Sequence, residues 1–410
     1  MYITRNIEDT VENVSSNFKV MLLTGARQVG KTTLLKRMTL GTERKYVTLD
    51  DLMERSLAIS DPALFMQCYC PPVLIDEIQY APELLNYIKN YIEYDDKNGS
   101  IWLTSSQPIS TAKAVLNILG DQVGILNLYG LTINEISKNS YKSHFLPIYD
   151  NLLLRSGNTI KRNLNEIFKL IWQGSMPSSY NVDTYDWKTY YASYTKTIIQ
   201  QEIMKVLQIN DEMTFFHFLC AAAGQTGRIV NYAELAKAAD ISAPTAKQWV
   251  TALEAVGVLY MLQPFSPPGA KYVVKAPKLY FCDTGLAAYL TNWNSFEALE
   301  TGALSNEFFI TWVTMEILKS YSNIGKVPPI FYFRNFNGKE IELIIYEDGT
   351  AYPIAIKKCS NLSRILKTFA ILEPVARDSN LKVGSGGVIC FAEKLISTDK
   401  NISIIPAWII

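Results

Sequence analysis

Val20-Met21-Leu22-Leu23-Thr24-Gly25-Ala26-Arg27-Gln28-Val29-Gly30-Lys31-Thr32-Thr33 decides how the rest of this 410-residue chain is read. The apolar run has the length of a buried strand, breaks at Gly25, and gives way to a helix-like segment from Lys31. Between them stands G-x-x-x-x-G-K-T, the P-loop or Walker A pattern. Phosphates carry dense negative charge. A site for them needs backbone N–H groups turned inward, and glycines let the chain wrap that closely. Gly30 opens a helix whose N-terminus adds partial positive charge. The expectation is a cradle for ATP or ADP made by Gly25, Ala26, Arg27, Gln28, Val29, Gly30, Lys31, Thr32 and Thr33. In that cradle Lys31 reaches the β- and γ-phosphates, as both a binding and a catalytic group, and Thr32 offers its hydroxyl to Mg²⁺.

Outward from the P-loop, Arg5 to Asn17 reads as a leading helix, and Lys45 to Asp50 as a short strand ending in acids. Asp61-Pro62 starts a helix, since proline suits the first turn. Pro72-Val73-Leu74-Ile75-Asp76-Glu77-Ile78-Gln79 is an apolar strand ending in two carboxylates, a Walker B pattern. Asp76 is placed to hold Mg²⁺, and Glu77 to orient or deprotonate the attacking water. Pro82 to Tyr94 is amphipathic and helical. Ser100 to Thr104 is a further buried strand, running into Ser105-Ser106-Gln107. Ser106 is either a sensor touching the γ-phosphate or the water, or a plain strand-end turn. Gly124 to Leu128 makes a fifth strand. Strands alternating with helices imply a parallel sheet with helices on both faces and ligands at the strands' carboxyl ends.

Composition bounds the rest. The length suggests about two to three domains. Hydrophobic residues make up 48%, enough for real cores and too many for a disordered chain. Formal net charge is zero, so any nucleic-acid contact must use a local patch. The six cysteines are scattered, and the two histidines, His144 and His217, are far apart, which argues against a Cys/His zinc site. No signal-peptide pattern and no apolar run of membrane-spanning length is visible, so a reduced cytoplasmic setting without a membrane partner is expected.

The run Gly25 to Thr33, with Asp76-Glu77-Ile78-Gln79 at Walker B, resembles prokaryotic AAA-family P-loop ATPases that carry G-A-R-Q-V-G-K-T-T and D-E-I-Q. Members typically continue with a winged-helix region and a C-terminal nuclease-like domain of unknown function, and the likeness spans nearly the whole chain. It implies ATP binding with Mg²⁺. One departure matters. The family's L-A-G-R-V segment, whose arginine is a candidate finger for a neighbouring or same-chain nucleotide, reads Leu119-Gly120-Asp121-Gln122-Val123 here. An arginine finger is worth about 10³–10⁵ in rate where it operates. A second cation is lost where relatives end the following segment in Arg-Asp and this chain has Gln201-Glu202.

Residues 140–215 read as helices, broken at Gly174-Ser175-Met176-Pro177. Tyr190, Tyr191 and Tyr194 recur at near-helical spacing as an aromatic core. Residues 214–280 resemble a winged helix-turn-helix. Val230 to Ala236 suits a capped first helix. The second helix starts near Ser242 as N-cap with Pro244 in its first turn, and Leu253, Val256 and Leu259 pack inward. In a DNA reader the second helix enters the major groove. Its exposed face offers mainly Lys247 and Gln248. Lys271, Lys275 and Lys278 follow either on a DNA-contacting wing or against another domain.

Residues 300–410 begin with a long helix, Ser305 to Ser320, followed by strands Ile330 to Arg334, Glu340 to Tyr346 and Ala351 to Lys357. The order resembles the restriction-endonuclease-like fold, whose site joins a helix glutamate, a strand aspartate and E-x-K. Aligned by motif, Ile310 replaces the glutamate, Glu342 the aspartate and Ala355 the second glutamate, while Lys357 is unchanged. Such chemistry needs oxygen ligands around the ion.

The reading is an α/β chain. It divides into an AAA-type P-loop domain (1–135), a helical region (136–213), a winged-helix-like domain (214–290) and a smaller, degenerate restriction-endonuclease-like domain (291–410). The expected function is an ATP-binding, nucleotide-dependent switch with slow or absent hydrolysis. The alternatives are an ATP-regulated DNA-binding protein, or a scaffold that binds a protein partner through the degenerate domain.

Overall fold

Five short apolar runs of the N-terminal third lie side by side as a parallel sheet. They are β1 (Val20–Thr24), β2 (Lys45–Thr48), β3 (Val73–Asp76), β4 (Ile101–Ser105) and β5 (Val123–Asn127), in the order β2-β3-β4-β1-β5. The computed structural model describes residues 2–94, 97–139, 141–180, 186–198, 203–207, 211–267, 274–358, 368–398 and 401–410. β1, β3 and β4 are buried at every position, as expected of parallel strands covered on both faces. Alternate residues divide between two cores. Met21, Leu23, Leu74 and Trp102 join one, with Val11, Leu34 and Leu35 from the helices Glu8–Asn17 and Lys31–Met38. Val20, Leu22, Ile75 and Leu103 join the other, under the helices Leu84–Tyr94 and Pro108–Leu119. Thr24 is level with Ser105 and Asn127, and Thr48 with Asp76. The loops after β1, β3 and β4 therefore leave from one edge of the sheet, where open α/β sheets bind ligands.

Two boundaries shift from the sequence reading. The leading helix starts at Glu8, because Arg5 turns its guanidinium into the interior, and β2 stops at Thr48. The segment before the helix Tyr149–Asn158 is not helical. Residues 141–148 have no regular secondary structure and are tied down by buried Arg155, which donates to the Ser143 carbonyl at 2.7 Å and to the Ile409 carbonyl at 2.9 Å. The helices Leu164–Gln173 and Trp187–Thr197 follow, and the chain breaks between them at Gly174 as expected. Tyr191 and Tyr194 are core residues. The Tyr191 hydroxyl donates to buried Asp283 at 2.6 Å, and Asp283 also accepts from the Ser175 amide at the break.

In the next module, Asn231 caps the helix Tyr232–Ala238, and Ser242 caps Ala243–Ala255 by accepting from the Thr245 amide at 3.1 Å. Leu253, Val256 and Leu259 are buried. A small antiparallel sheet closes the module: β6 (Arg228–Ile229), β7 (Leu259–Leu262) and β8 (Lys278–Phe281), ordered β6-β8-β7. Of the lysines placed on a wing, Lys278 is 2% exposed, paired with Glu340 and set over the Tyr332 ring, so it faces the C-terminal part and not solvent. Lys247, Gln248 and Lys275 are exposed. Lys271 and the Gln201-Glu202 pair lie outside the described residues.

The helix Ser305–Ser322 runs one half-turn beyond the expected end and is buried almost all round, which explains its lack of a polar face. The sheet beside it holds seven strands, not three. β9 (Ile330–Arg334), β10 (Glu340–Glu347) and β11 (Thr350–Ile356) pair antiparallel. Then β13 (Gly386–Cys390) and β15 (Ile402–Pro406) extend the sheet in parallel, with β14 (Ile396–Thr398) at the edge and β12 (Lys382–Val383) beside β11. One apolar core runs without interruption from Met21 to Ile410 through every part of the chain. Buried Glu316 and Lys319 bind the long helix to the end of the first domain. Glu316 accepts from the Ile133 amide at 2.9 Å, and Lys319 donates to the Leu131 carbonyl and to Glu316, each at 2.9 Å.

Candidate nucleotide-binding site

The loop after β1 has the backbone its glycines were expected to permit. Gly25 stands at φ +148°, and a Cβ there would lie 2.2 Å from the Leu128 carbonyl oxygen, so only glycine fits. Gln28 and Gly30 also take positive φ, at 64° and 98°, and Gly30 opens the helix Lys31–Met38 without a side-chain cap. Its first amides have no cap from the N-cap residue, which leaves them for a ligand in the crevice. Lys31 is 5% exposed and bends back over the loop, donating to the Gly25 carbonyl at 2.8 Å and the Ala26 carbonyl at 3.0 Å. Arg5 clamps the loop from behind. Its guanidinium donates to the Val29 carbonyl at 2.9 Å, to the Tyr129 carbonyl at 2.7 Å and to Glu135 at 3.1 Å.

Walker B meets the loop from β3. The Thr32 hydroxyl donates to Asp76 at 2.9–3.0 Å, and Asp76 also accepts from the Thr104 and Tyr46 hydroxyls. Three hydroxyls thus hold one buried carboxylate beside the loop threonine. Glu77 takes the left-handed conformation at φ 61°, and its amide donates to Thr104 Oγ1 at 3.0 Å. The Gln79 amide donates both to Glu77 and, at 2.9 Å, to Ser106 Oγ, while the Ser106 amide donates to Glu77 at 3.1 Å. Burial alone would push the Glu77 carboxyl up. The Lys31 ammonium, the Gln79 and Ser106 hydrogen bonds and the Arg27 guanidinium outweigh it, and the group stays below the usual carboxylate range.

A cleft of about 560 Å³ opens over these groups. Arg27, Gln28, Gly30, Lys31, Thr32 and Thr33 line it, with Glu77. Gly25, Ala26 and Val29 do not. Ala26 and Val29 turn into the core and toward a separate cavity of about 210 Å³ behind the loop. Tyr2, Ile3, Leu131 and Pro177 add apolar surface to the cleft's lining. Ser106 is 1% exposed and does not line the cleft; its hydroxyl accepts from Gln79 and its amide donates to Glu77. Gln122 cannot serve its own chain's nucleotide. It precedes β5, at the amino edge of the sheet, roughly 16 Å of strand from the P-loop edge, and its amide donates to Asp121. Arg5 and Gln79 were not singled out from the sequence. Gln79 stood in the quoted Walker B run, whereas no local pattern marks Arg5, whose side-chain partners lie more than twenty residues away.

In the C-terminal sheet, Glu342 is buried and paired with Lys357, and accepts from the Ile356 amide at 3.3 Å. Ile310 and Ala355 are buried apolar residues, 6% and 1% exposed.

Residues 17–137 match the AAA domain family. Residues 164–297 match a domain of unknown function (DUF8612), and residues 307–410 another (DUF4143). The uncharacterized proteins Mb2031c of Mycobacterium bovis and Rv2008c of Mycobacterium tuberculosis are each 24% identical over 365 residues, covering 87% of this chain and 75% of the relative. Among solved structures, the Walker-type ATPase paby2304 of Pyrococcus abyssi is 14% identical, with a TM-score of 0.44, over 70% of this chain and 96% of that one. A single-substitution variant of RuvB from Thermotoga maritima is 18% identical, with a TM-score of 0.31, over 62% and 88%. The N-terminal part of the chain is an AAA-type P-loop ATPase domain. No described helix is long and apolar enough to cross a membrane.

Proposed function

We propose that the chain binds ATP and ADP with Mg²⁺ and works as a nucleotide-dependent switch with slow hydrolysis. The observation that carries this is the pairing of a complete P-loop with Thr32, Asp76 and Glu77 at one edge of the sheet. The residues suit the ion: a hydroxyl and a carboxylate within hydrogen-bond distance are the hard oxygen donors Mg²⁺ takes. Thr32 and Asp76 would hold it, and it would neutralise charge on the β- and γ-phosphates. Lys31 leaves the Gly25 and Ala26 carbonyls for the phosphates. The base would rest on the apolar lining that Tyr2, Ile3 and Leu131 supply. Glu77, kept ionised by its neighbours, accepts the proton of the attacking water, and Gln79 and Ser106 hold its carboxylate in place.

Slow turnover follows from Gln122, a neutral amide where a finger would stand, at the edge of the sheet remote from the chain's own cleft. The switch follows from Leu131. It lines the cleft and its carbonyl accepts from Lys319, so a change in what fills the cleft reaches the C-terminal helix directly. The C-terminal part is a receiver and not a nuclease: Glu342, the one carboxylate at the three aligned positions, is already neutralised by Lys357. The four-part division of the chain belongs to the same proposal, with the parts docked on a shared core. Calorimetry with ADP and ATP in Mg²⁺ and in chelator, with turnover measured with and without DNA, tests it. Nucleotide binding that needs Mg²⁺ for full affinity is expected. A wild type that binds no nucleotide ends the proposal, and turnover that rises steeply with DNA moves it to an ATP-regulated DNA binder.

A further inference from the structure

We infer that Arg27, inside the P-loop, is a catalytic residue: its guanidinium meets the γ-phosphoryl group of bound ATP and steadies it during transfer to water, in cis. The inference rests on the ATP-binding reading above.

Arg27 is the third residue of the loop, and its side chain lines the cleft with Lys31, Thr32 and Glu77. Its direction is set from the Walker B side. Tyr80 closes the short turn Ile78–Tyr80 that follows Glu77, and its hydroxyl accepts from Arg27 Nη2 at 2.6 Å. Tyr80 is itself held. The Arg55 guanidinium covers its ring at 4.0 Å, and Arg55 Nε donates to the Leu49 carbonyl at 2.7 Å. From the other side, the Tyr194 hydroxyl donates to the Arg27 carbonyl at 3.3 Å and fixes the backbone. The guanidinium is therefore poised between the loop that cradles phosphates and the carboxylate that handles water. A guanidinium carries five donors in a planar fork, so it can keep Tyr80 while it exchanges other contacts for phosphate oxygens, as Lys31 exchanges the loop carbonyls.

In the step concerned, the water oxygen bonds to the γ-phosphorus as the bond to the β–γ bridging oxygen breaks. The electron pair stays with ADP, and the water proton passes to Glu77. Negative charge spreads over the transferred group and the leaving oxygen, and a preset cation helps most there. Arg27 does this from within the same chain, so the neutral Gln122 slows turnover without abolishing it.

The test is capture of ADP–aluminium fluoride, which mimics the transferred group, by the full chain in Mg²⁺, beside ADP binding alone. Wild type should capture it. Arg27→Ala should weaken capture by about 100-fold or more while ADP affinity stays within roughly threefold, since the effect is confined to the transition state. Arg27→Lys should fall between, and Tyr80→Phe, which keeps the ring but drops the acceptor, should lose about tenfold in the same direction. Capture unchanged in Arg27→Ala, equal loss of ADP and ADP–aluminium fluoride, or no capture by a wild type that binds ADP would each overturn the inference and leave the binding proposal standing. A wild type that binds no ADP removes both.

Discussion

Replacing Lys31 by alanine is the sharpest perturbation of the binding reading. A charge-assisted contact to phosphate is worth about 1.5–3 kcal/mol. The free chain already engages the ammonium, on the Gly25 carbonyl at 2.8 Å and the Ala26 carbonyl at 3.0 Å among its contacts, and binding exchanges those bonds for phosphate oxygens. The net loss in Lys31→Ala therefore sits at the low end, about 1.5–2 kcal/mol, or roughly 10- to 30-fold in Kd. ATP should lose more than ADP, because the lysine spans both terminal phosphates. The loop itself should persist, since Arg5 still holds Val29 and Gly25 keeps its φ, so Tm should move little. Turnover should fall further than affinity. Lys31 is the leading cation that keeps the Glu77 carboxyl low, and without it burial drives that carboxyl upward. Titration calorimetry of ADP and ATP against both proteins, with thermal unfolding of each, reads all three effects. An ATP affinity unchanged within about twofold refutes the reasoning. A collapse of Tm shows that the lysine's real work is to hold the loop.

Three further outcomes are expected. Glu316→Ala leaves Lys319 buried without its carboxylate and the Ile133 amide without its acceptor, at about 3–5 kcal/mol; a large fall in Tm checks it, and the double change Glu316→Leu with Lys319→Met should lose less. Gln79→Leu removes a donor to the Glu77 carboxylate, so its pKa rises from its depressed position. As pH falls the base is then protonated earlier, and the acid limb of the turnover profile moves to higher pH; an unmoved limb contradicts the role given to Gln79. The C-terminal part should cleave neither plasmid nor oligonucleotide in Mg²⁺ or Mn²⁺, and cleavage that vanishes in Lys357→Ala would overturn the receiver reading.

What the sequence determined by itself is the part of the site built from neighbours in the chain. Gly25 to Thr33 and Asp76-Glu77 are legible because a phosphate cradle is a local backbone shape: the glycines that permit it and the strand that leads into it lie within a dozen residues. The same holds for the caps at Asn231 and Ser242, where the side chain bonds an amide two or three residues on. Tertiary structure alone decided what crosses the chain. Arg5 reaches Val29 and Glu135, Tyr80 aims Arg27, Lys278 finds Glu340, and Lys319 finds Leu131 across separations of 24 to 188 residues. Each is a polar group whose exposure cannot be read from its neighbours, because burial is set by which element packs over it. The four unread strands of the second sheet have the same cause. β13 and β15 are buried at every position, so they lack the alternation that would have marked them, and they pair in parallel with each other and with β11, so no hairpin turn announces the pairing. Gln122 shows the limit from the other side: its chemistry was plain in the sequence, but only the strand order puts it at the end of the sheet remote from the cleft over its own P-loop.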